Sequence, residues 1–225
     1  MKLIGIDRDV ELVCELIHNK LRDGSRTIIG IAGPPASGKS TLAREVVKSL
    51  NRNNSSSGLF AELLPMDGYH LDNHLLKSLK LLSKKGSPET FDAYGFCEAV
   101  KSLSCTTRES FHPTFDRKMD LAIANSILIK PETPVVVIEG NYLLMETKPW
   151  SSLLKVFSST VFVCPSMATI QDRLMQRWLS LGLNPDDAML KITSNDLVNT
   201  KLIIDKSQPP DLYLNQNYTK KVYLE

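Results

Sequence analysis

The sequence lacks the features that mark several large classes of protein. It contains no apolar run near the roughly 20 residues of a membrane-spanning helix, so no membrane partner is predicted. The net charge is only +2, from 27 basic and 25 acidic residues, so we expect no nucleic-acid partner. Asp7 interrupts the first apolar run too early for a secretory signal, and we therefore expect a cytoplasmic protein.

Cysteine is also scarce. The four cysteines, Cys14, Cys97, Cys105 and Cys164, are scattered, and no two have the Cys-x-x-Cys spacing of a zinc or redox site. We expect them to be buried or partly buried free thiols. The 225 residues, 42% hydrophobic and 23% charged, fit one globular domain that spans residues 1–225 better than two domains.

Short apolar runs alternate with helical patterns along the chain. Core strands are predicted at residues 27–32, 59–64, 135–138 and 160–163, and helices at residues 7–22, from 42 to about 50, at 119–127 and at 167–181. The polar stretch 51–58 predicts a surface turn. This alternation predicts an α/β fold with a mostly parallel sheet covered by helices on both faces.

A phosphate-binding loop is predicted directly after the first core strand. Residues 33–40 match the pattern G-x-x-x-x-G-K-S, and a helical pattern follows them. Glycines let the backbone approach phosphate oxygens, and the N–H groups of the loop and of the helix N-terminus attract them. Lys39 would reach the β- and γ-phosphates of ATP, and the Ser40 hydroxyl would bind Mg²⁺. The predicted ATP-binding residues are Gly33, Pro34, Pro35, Ala36, Ser37, Gly38, Lys39, Ser40 and Thr41.

This motif makes the predicted fold a three-layer sandwich of the P-loop NTPase type. The sequence contains neither the Asn-Lys-x-Asp element that reads guanine nor the Leu-Ser-Gly-Gly-Gln element of transporter ATPases. Their absence favours ATP as the nucleotide and a metabolite kinase as the class of enzyme.

Two acidic residues follow predicted core strands. Asp67 follows the second strand and Glu139 follows the third, and ligands of open α/β sheets bind outside the carboxyl ends of such strands. Phosphoryl transfer to an alcohol needs a group that accepts the hydroxyl proton and oxygen atoms that hold Mg²⁺. We expect Asp67 to be that base and Glu139 to hold Mg²⁺ together with Ser40. A helix or turn cap is the alternative role for either carboxylate.

Five motifs, in this order, resemble the phosphoribulokinase/uridine kinase family, within which the chain looks most like the uridine kinase-like, pantothenate kinase-like and fructose-transport-associated kinases. They are residues 33–40, 65–70, 85–92, 113–117 and 137–144. The resemblance implies that Asp67 is the catalytic aspartate and Glu139 the acid of the Walker B type. It also implies an acceptor pocket within residues 67–118, in which Asp92 and Arg117 contact the substrate and His70 and Tyr94 line the wall.

A helix after the last predicted strand carries two arginines. Ser166 can cap it, and Arg173 and Arg177 lie four residues apart on one face. Spacing alone favours a surface helix whose arginines pair with acidic residues or solvent. The family resemblance instead implies an arginine-bearing lid over about residues 166–187, in which Arg173 and Arg177 assist catalysis.

The predicted function is phosphoryl transfer from ATP, with Mg²⁺, to a hydroxyl of a small metabolite. A nucleoside such as uridine, a sugar or a pantothenate-like acid are the candidate acceptors. A P-loop ATPase or nucleotide switch without a phosphorylated small-molecule product is the alternative. The sequence leaves open a homo-oligomer, and it leaves open whether residues 213–225 add a strand or contact a partner. Asn195 and Asp196 would lie near the nucleotide or cap a helix.

Overall fold

The computed structural model describes residues 5–22, 24–54 and 59–215. Within these ranges the α-helices are α1 (Ile6–His18), α2 (Lys39–Asn53), α3 (Asn73–Ser78), α4 (Ala93–Ser102), α5 (Met167–Ser180), α6 (Pro185–Lys191) and α7 (Leu197–Lys206). The strands are β1 (Thr27–Ala32), β2 (Ala61–Pro65), β3 (Ser110–Asp116), β4 (Leu121–Ile129), β5 (Val135–Gly140), β6 (Ser159–Val163) and β7 (Leu212–Leu214).

The described strands form a parallel sheet and a separate hairpin. Strands β2, β5, β1, β6 and β7 lie side by side in that order, and every neighbouring pair is parallel. Strands β3 and β4 pair in the antiparallel sense. All residues of β1, β5 and β6 are buried, as expected of strands that are covered on both faces.

Two hydrophobic clusters lie on opposite faces of the sheet and make three layers. On one face, residues of α1 and α2 such as Val13 and Leu42 pack against alternate strand residues such as Ile29. On the other face, residues such as Phe96 of α4 pack against strand residues such as Val136. The predicted α/β sandwich of the P-loop type is therefore confirmed.

Most predicted elements are present with shifted ends. The first helix ends at His18 rather than at residue 22, and α2 continues to Asn53 through part of the predicted turn. Residues 55–58 of that turn lie outside the described residues. Strand β5 extends to Gly140, so that Glu139 lies inside the strand and pairs in register with Ile31 of β1.

The helix predicted at residues 119–127 is wrong. Met119, Ile123 and Ile127 recur every four residues and fit one helical face, but the segment forms most of β4. Leu121 pairs with Asp116, and six residues of the strand in succession are exposed. Backbone pairing with β3 decides the conformation, because tertiary context routinely overrides a helical pattern in a short segment.

Two further predictions concern the C-terminal segment and the cysteines. Strand β7 extends the sheet beside β6, so the beginning of the segment 213–225 adds a strand, whereas residues 216–225 lie outside the described residues. Cys14, Cys97 and Cys164 are buried free thiols, as expected, but Cys105 is exposed. No helix in the described part of the chain is long and apolar enough to cross a membrane.

Candidate active site

The loop between β1 and α2 has the curvature of an anion cradle. Gly38 has φ 102° and Ala36 has φ 58°, both in the left-handed region. Gly33 has φ 153°, and a Cβ at that position would lie 2.2 Å from the carbonyl oxygen of Val163. Glycine is therefore required at residue 33 because the loop packs against the end of β6. Gly38 at the N-cap of α2 has no side chain to cap the helix, and the N–H of Lys39 makes only a long bond of 3.5 Å to Ser37 Oγ, so this N-terminus can receive a phosphate.

Lys39 is the first residue of α2, directly after this loop. Its side chain is directed back along the loop, with Nζ 3.5 Å from the carbonyl oxygen of Pro34, and the residue is 8% exposed. Burial lowers the pKa of Lys39 below its usual value, while the charges of Glu139 and Asp67 act in the opposite direction. A buried ammonium with few protein partners is suited to bind an anion that replaces the lost hydration.

Ser40 and Glu139 bring two oxygen groups together beside the loop. Ser40 Oγ donates a hydrogen bond of 3.1 Å to Glu139 Oε2, and Glu139 is 5% exposed. Burial raises the pKa of Glu139, and the nearby charge of Asp67 raises it further. A hydroxyl and a carboxylate oxygen are ligands that Mg²⁺ prefers, so these residues fit a divalent cation bound next to phosphates.

Asp67 lies on the 3₁₀ turn Met66–Tyr69 that follows β2, and its carboxylate accepts a hydrogen bond from Arg117. Burial alone would raise the pKa of Asp67. The positive charges of Arg117, Lys39 and Arg177, and that of His70 at the acid pH at which Asp67 titrates, outweigh that effect and hold the pKa below its ordinary value. Asp67 is therefore an ionised carboxylate at neutral pH.

Two glycines allow the turn of Asp67 to approach its neighbours closely. A Cβ at Gly68 would lie 2.3 Å from the carbonyl oxygen of Pro113 in β3. A Cβ at Gly140 would lie 2.6 Å from Cβ of Met66. Glycine at residue 68 lets the β3–β4 hairpin, which carries Arg117 at its turn, approach the turn of Asp67, and glycine at residue 140 lets that turn pack against β5.

His70 contributes to an aromatic cluster beside Asp67, in which the rings are tilted against one another. Its ring lies 4.0 Å from that of Phe91 and 4.7 Å from that of Phe115, measured between centroids. Its Nδ1–H donates a hydrogen bond of 2.8 Å to the carbonyl oxygen of Asp67. Burial lowers the pKa of His70, so the ring is neutral at pH 7 and forms an apolar wall.

The side chains of the two other predicted wall and contact residues take no part in this aromatic cluster. Asp92 caps α4, because its side chain accepts a hydrogen bond of 2.9 Å from the N–H of Gly95. Tyr94 is 69% exposed. Its ring does not take part in the ring contacts that join His70 to Phe91 and Phe115 within the described residues. Their predicted contacts with a substrate stay predictions.

The two arginines of α5 have different neighbours at the site. Arg173 Nη1 donates hydrogen bonds to the carbonyl oxygens of Ser37 and Ala36, at 2.8 and 3.3 Å, and so attaches the helix to the phosphate loop. Burial lowers the pKa of Arg177, and the charges of Arg117 and Asp67 are near enough to act on it. Ser166 caps the helix as predicted, with a bond of 3.2 Å from the N–H of Thr169.

Sequence reasoning missed a polar cluster that joins three separate segments. Lys85 Nζ bonds Asn73 Oδ1 at 2.6 Å and the carboxylate of Asp120 at 2.9 Å, and Asn73 Nδ2 bonds Asp120 Oδ2 at 2.8 Å. Asp120 lies in the hairpin turn with φ 54°. The motif at residues 85–92 identifies Lys85, but no local pattern identifies its two partners.

Comparison with known proteins agrees with this geometry. The model of the phosphoribulokinase / uridine kinase family matches residues 28–177. A protein of Schizosaccharomyces pombe, named a putative uridine kinase, is 30% identical over 209 residues, which are 90% of this chain and 88% of that protein.

Solved structures show the same relationship. A chain from Silicibacter sp. TM1040, described as a putative fructose transport system kinase, is 39% identical, with a TM-score of 0.83 over 91% of this chain and 98% of that chain. YFH7 of Saccharomyces cerevisiae shares the fold, with a TM-score of 0.79 at 19% identity over 94% of this chain and 98% of that chain. The matched family model and these relatives show that the chain belongs to the phosphoribulokinase / uridine kinase family of P-loop kinases.

Proposed function

We propose that this protein transfers the γ-phosphoryl group of ATP to a hydroxyl of a small metabolite. The acceptor is a nucleoside such as uridine, a sugar or a pantothenate-like acid. One observation carries the proposal: the ionised carboxylate of Asp67 lies near Lys39 of the phosphate loop and also pairs with Arg117 of the hairpin. A carboxylate that interacts both with the phosphate loop and with the hairpin is suited to orient an alcohol.

In the proposed reaction the acceptor oxygen attacks the γ-phosphorus in line with the bond to the β-phosphate oxygen. The new O–P bond forms as that bond breaks, ADP leaves, and the hydroxyl proton passes to Asp67. Phosphoryl transfer has a loose transition state, so orientation of the oxygen matters more than a strong base. The low pKa of Asp67 is compatible with this role, because the carboxylate is ready to accept a hydrogen bond from the hydroxyl.

The phosphates of ATP would lie in the loop of residues 33–41. Backbone N–H groups and the N-terminus of α2 would bind phosphate oxygens, and Lys39 would stabilise charge on the transferred group. Ser40 and Glu139 would hold Mg²⁺, which supplies charge neutralisation at the β- and γ-phosphates.

Arg173 and Arg177 of α5 would stabilise the negative charge that develops on the transferred phosphoryl group. Arg177 is partly buried and near the charge of Asp67, which supports a place over the reacting groups. Arg173 already binds carbonyl oxygens of the loop, so its contribution includes the attachment of α5 to that loop. Closure of such a helix would exclude water and limit hydrolysis of ATP.

The test is ADP release from the purified protein with Mg·ATP, alone and with uridine, cytidine, pantothenate, fructose, ribulose 5-phosphate or glycerate. Asp67→Asn is the test variant, and Asp205→Asn, on the exposed side of α7, is the matched control. We expect one acceptor to stimulate ADP release, and Asp67→Asn to lower that rate about 10²- to 10⁴-fold. Slow hydrolysis that no acceptor stimulates and that Asp67→Asn leaves unchanged would support a nucleotide switch instead.

A further inference from the structure

A π-helical turn joins α6 to α7 and carries two buried polar side chains in succession. The turn is Ile192–Asp196, and its last two residues, Asn195 and Asp196, are each 7% exposed. Asp196 stands at the N-cap of α7, but its side chain makes no capping hydrogen bond. Helix capping therefore does not explain these residues, and π-turns of this kind are often found at functional sites.

Asn195 is bonded to the wall of the proposed acceptor pocket. Its Nδ2 donates a hydrogen bond of 3.0 Å to the backbone carbonyl oxygen of Lys85, while its Oδ1 accepts one of 3.1 Å from Asn199 Nδ2. The side chain of the same Lys85 binds Asp120 in the hairpin turn. The hairpin turn also carries Arg117, which binds the carboxylate of Asp67.

Asp196 is bonded to the helix that carries the two arginines. Its Oδ2 accepts a hydrogen bond of 2.7 Å from Nε1 of Trp178 in α5. Trp178 follows Arg177 directly, and the ammonium of Lys191 lies 4.2 Å from the centroid of its indole ring. Through Trp178, α5 is hydrogen-bonded to the π-turn, and through Arg173 the same helix is hydrogen-bonded to the phosphate loop.

We propose that Asn195 and Asp196 are positioning residues that couple the arginine-bearing helix α5 to the Lys85–Asp120 wall of the acceptor pocket. Nucleotide bound under α5 orders that wall, and an acceptor held by the wall favours nucleotide binding in return. This inference rests on the proposed function, because it takes the nucleotide to bind at residues 33–41.

The physical reason is that Asn195 and Asp196, two adjacent buried residues of one turn, do not move independently. A shift of α5 pulls Asp196 through Trp178, and the same turn carries Asn195, whose donor would lose Lys85. A buried polar group left without its partner costs about 1–3 kcal/mol, so the two sides move together. Coupling between two ligands of this kind is reciprocal.

The experiment measures backbone hydrogen–deuterium exchange in residues 82–92 and 117–124, with and without Mg·ADP. In the wild-type protein we expect Mg·ADP to slow exchange about fivefold or more in both segments. Trp178→Phe keeps an aromatic ring but removes the N–H donor, and Asn195→Asp keeps the acceptor for Asn199 but removes the donor to Lys85. Both variants should bind ADP but lose most of this protection.

Two further variants are matched controls. Asp196→Asn retains an oxygen that accepts from Trp178 and should retain the protection. Ser194→Ala changes an exposed side chain of the same turn, whose hydroxyl donates to the carbonyl oxygen of Leu190 in α6, and should behave as the wild type.

Calorimetric titration with Mg·ADP separates the two ways in which the idea can fail. Absence of ADP binding to the wild type overturns the proposed function and the coupling with it. Binding without protection of the two segments, or full protection in Trp178→Phe, overturns the coupling alone. Trp178→Phe keeps the test decisive if Asn195→Asp does not fold.

Discussion

Ser40 of the phosphate loop donates a hydrogen bond of 3.1 Å to Glu139 of β5, across 99 residues of sequence. The bond places a hydroxyl and a carboxylate on the same side of the loop that curves around the proposed phosphate position. Since Glu139 is nearly fully buried, its charge acts in a medium of low polarity, where the interaction with a divalent cation is strong.

Glu139→Gln should weaken the effect of Mg²⁺ on nucleotide binding. Glutamine keeps the shape and still accepts a hydrogen bond from Ser40, but it removes the negative charge. We expect affinity for ADP in the presence of Mg²⁺ to fall about 10- to 100-fold, as for other residues that support a metal ion. Titration calorimetry with Mg²⁺ and with a chelator measures the difference.

Glu98→Gln, an exposed change in α4, is the control for this substitution. Affinity without Mg²⁺ should stay the same or rise in Glu139→Gln, because a negative charge near the phosphates is removed. An equal loss of affinity with and without Mg²⁺ would contradict a role of Glu139 in holding the cation.

Arg117→Gln should move the acid limb of the activity profile to higher pH. The charge of Arg117 lowers the pKa of Asp67, so its removal allows the pKa to rise. The reaction needs the carboxylate in its ionised form. When the pH is lowered, the variant should therefore lose activity at a higher pH than the wild type does. The measurement is kcat/KM against pH with the acceptor found in the panel. Lys118→Gln, an exposed change of the same sign next to it, should leave the limb in place.

Gly68→Ala should destabilise the protein through a steric clash alone. The added Cβ would lie 2.3 Å from the carbonyl oxygen of Pro113 and would push the hairpin away from Asp67. We expect a loss of about 1–3 kcal/mol in the free energy of unfolding, measured by chemical denaturation, together with reduced acceptor-dependent turnover.

Gly24→Ala is the matched control for backbone strain. Gly24 has φ 74°, but a Cβ there meets no atom within 4 Å. This variant should lose about 1–2 kcal/mol from the left-handed conformation without a change in acceptor-dependent turnover. Equal turnover in the two variants would show that the approach of the hairpin does not matter for the site.

Cys105 should be the first cysteine to react with iodoacetamide. Hydrogen bonds from Thr107 lower the pKa of the Cys105 thiol, and its side chain is exposed. The other cysteines are buried, and burial raises the pKa of Cys14, Cys97 and Cys164. Intact-mass spectrometry of the native protein should show one fast addition, which Cys105→Ser removes; several additions at similar rates would contradict this.

The sequence predicted the parts of the site that contiguous residues encode. The phosphate loop, the strand before it and the helix after it follow from one pattern, and Asp67 and Glu139 were found because they lie at or near the ends of apolar strands. The helix predicted at residues 119–127 failed for the opposite reason. Its conformation depends on pairing with β3, and apolar residues spaced every four positions do not reveal that partner.

The sequence by itself determined the fold class and the identity of the phosphate loop, because backbone conformation there depends on nearby residues. Only the tertiary structure decided which side chains meet. Arg117 reaches Asp67 over 50 residues, and Asn195 reaches Lys85 over 110 residues. Such contacts depend on how the hairpin, the π-turn and the sheet pack together, and packing is a property of the whole chain that no local pattern contains.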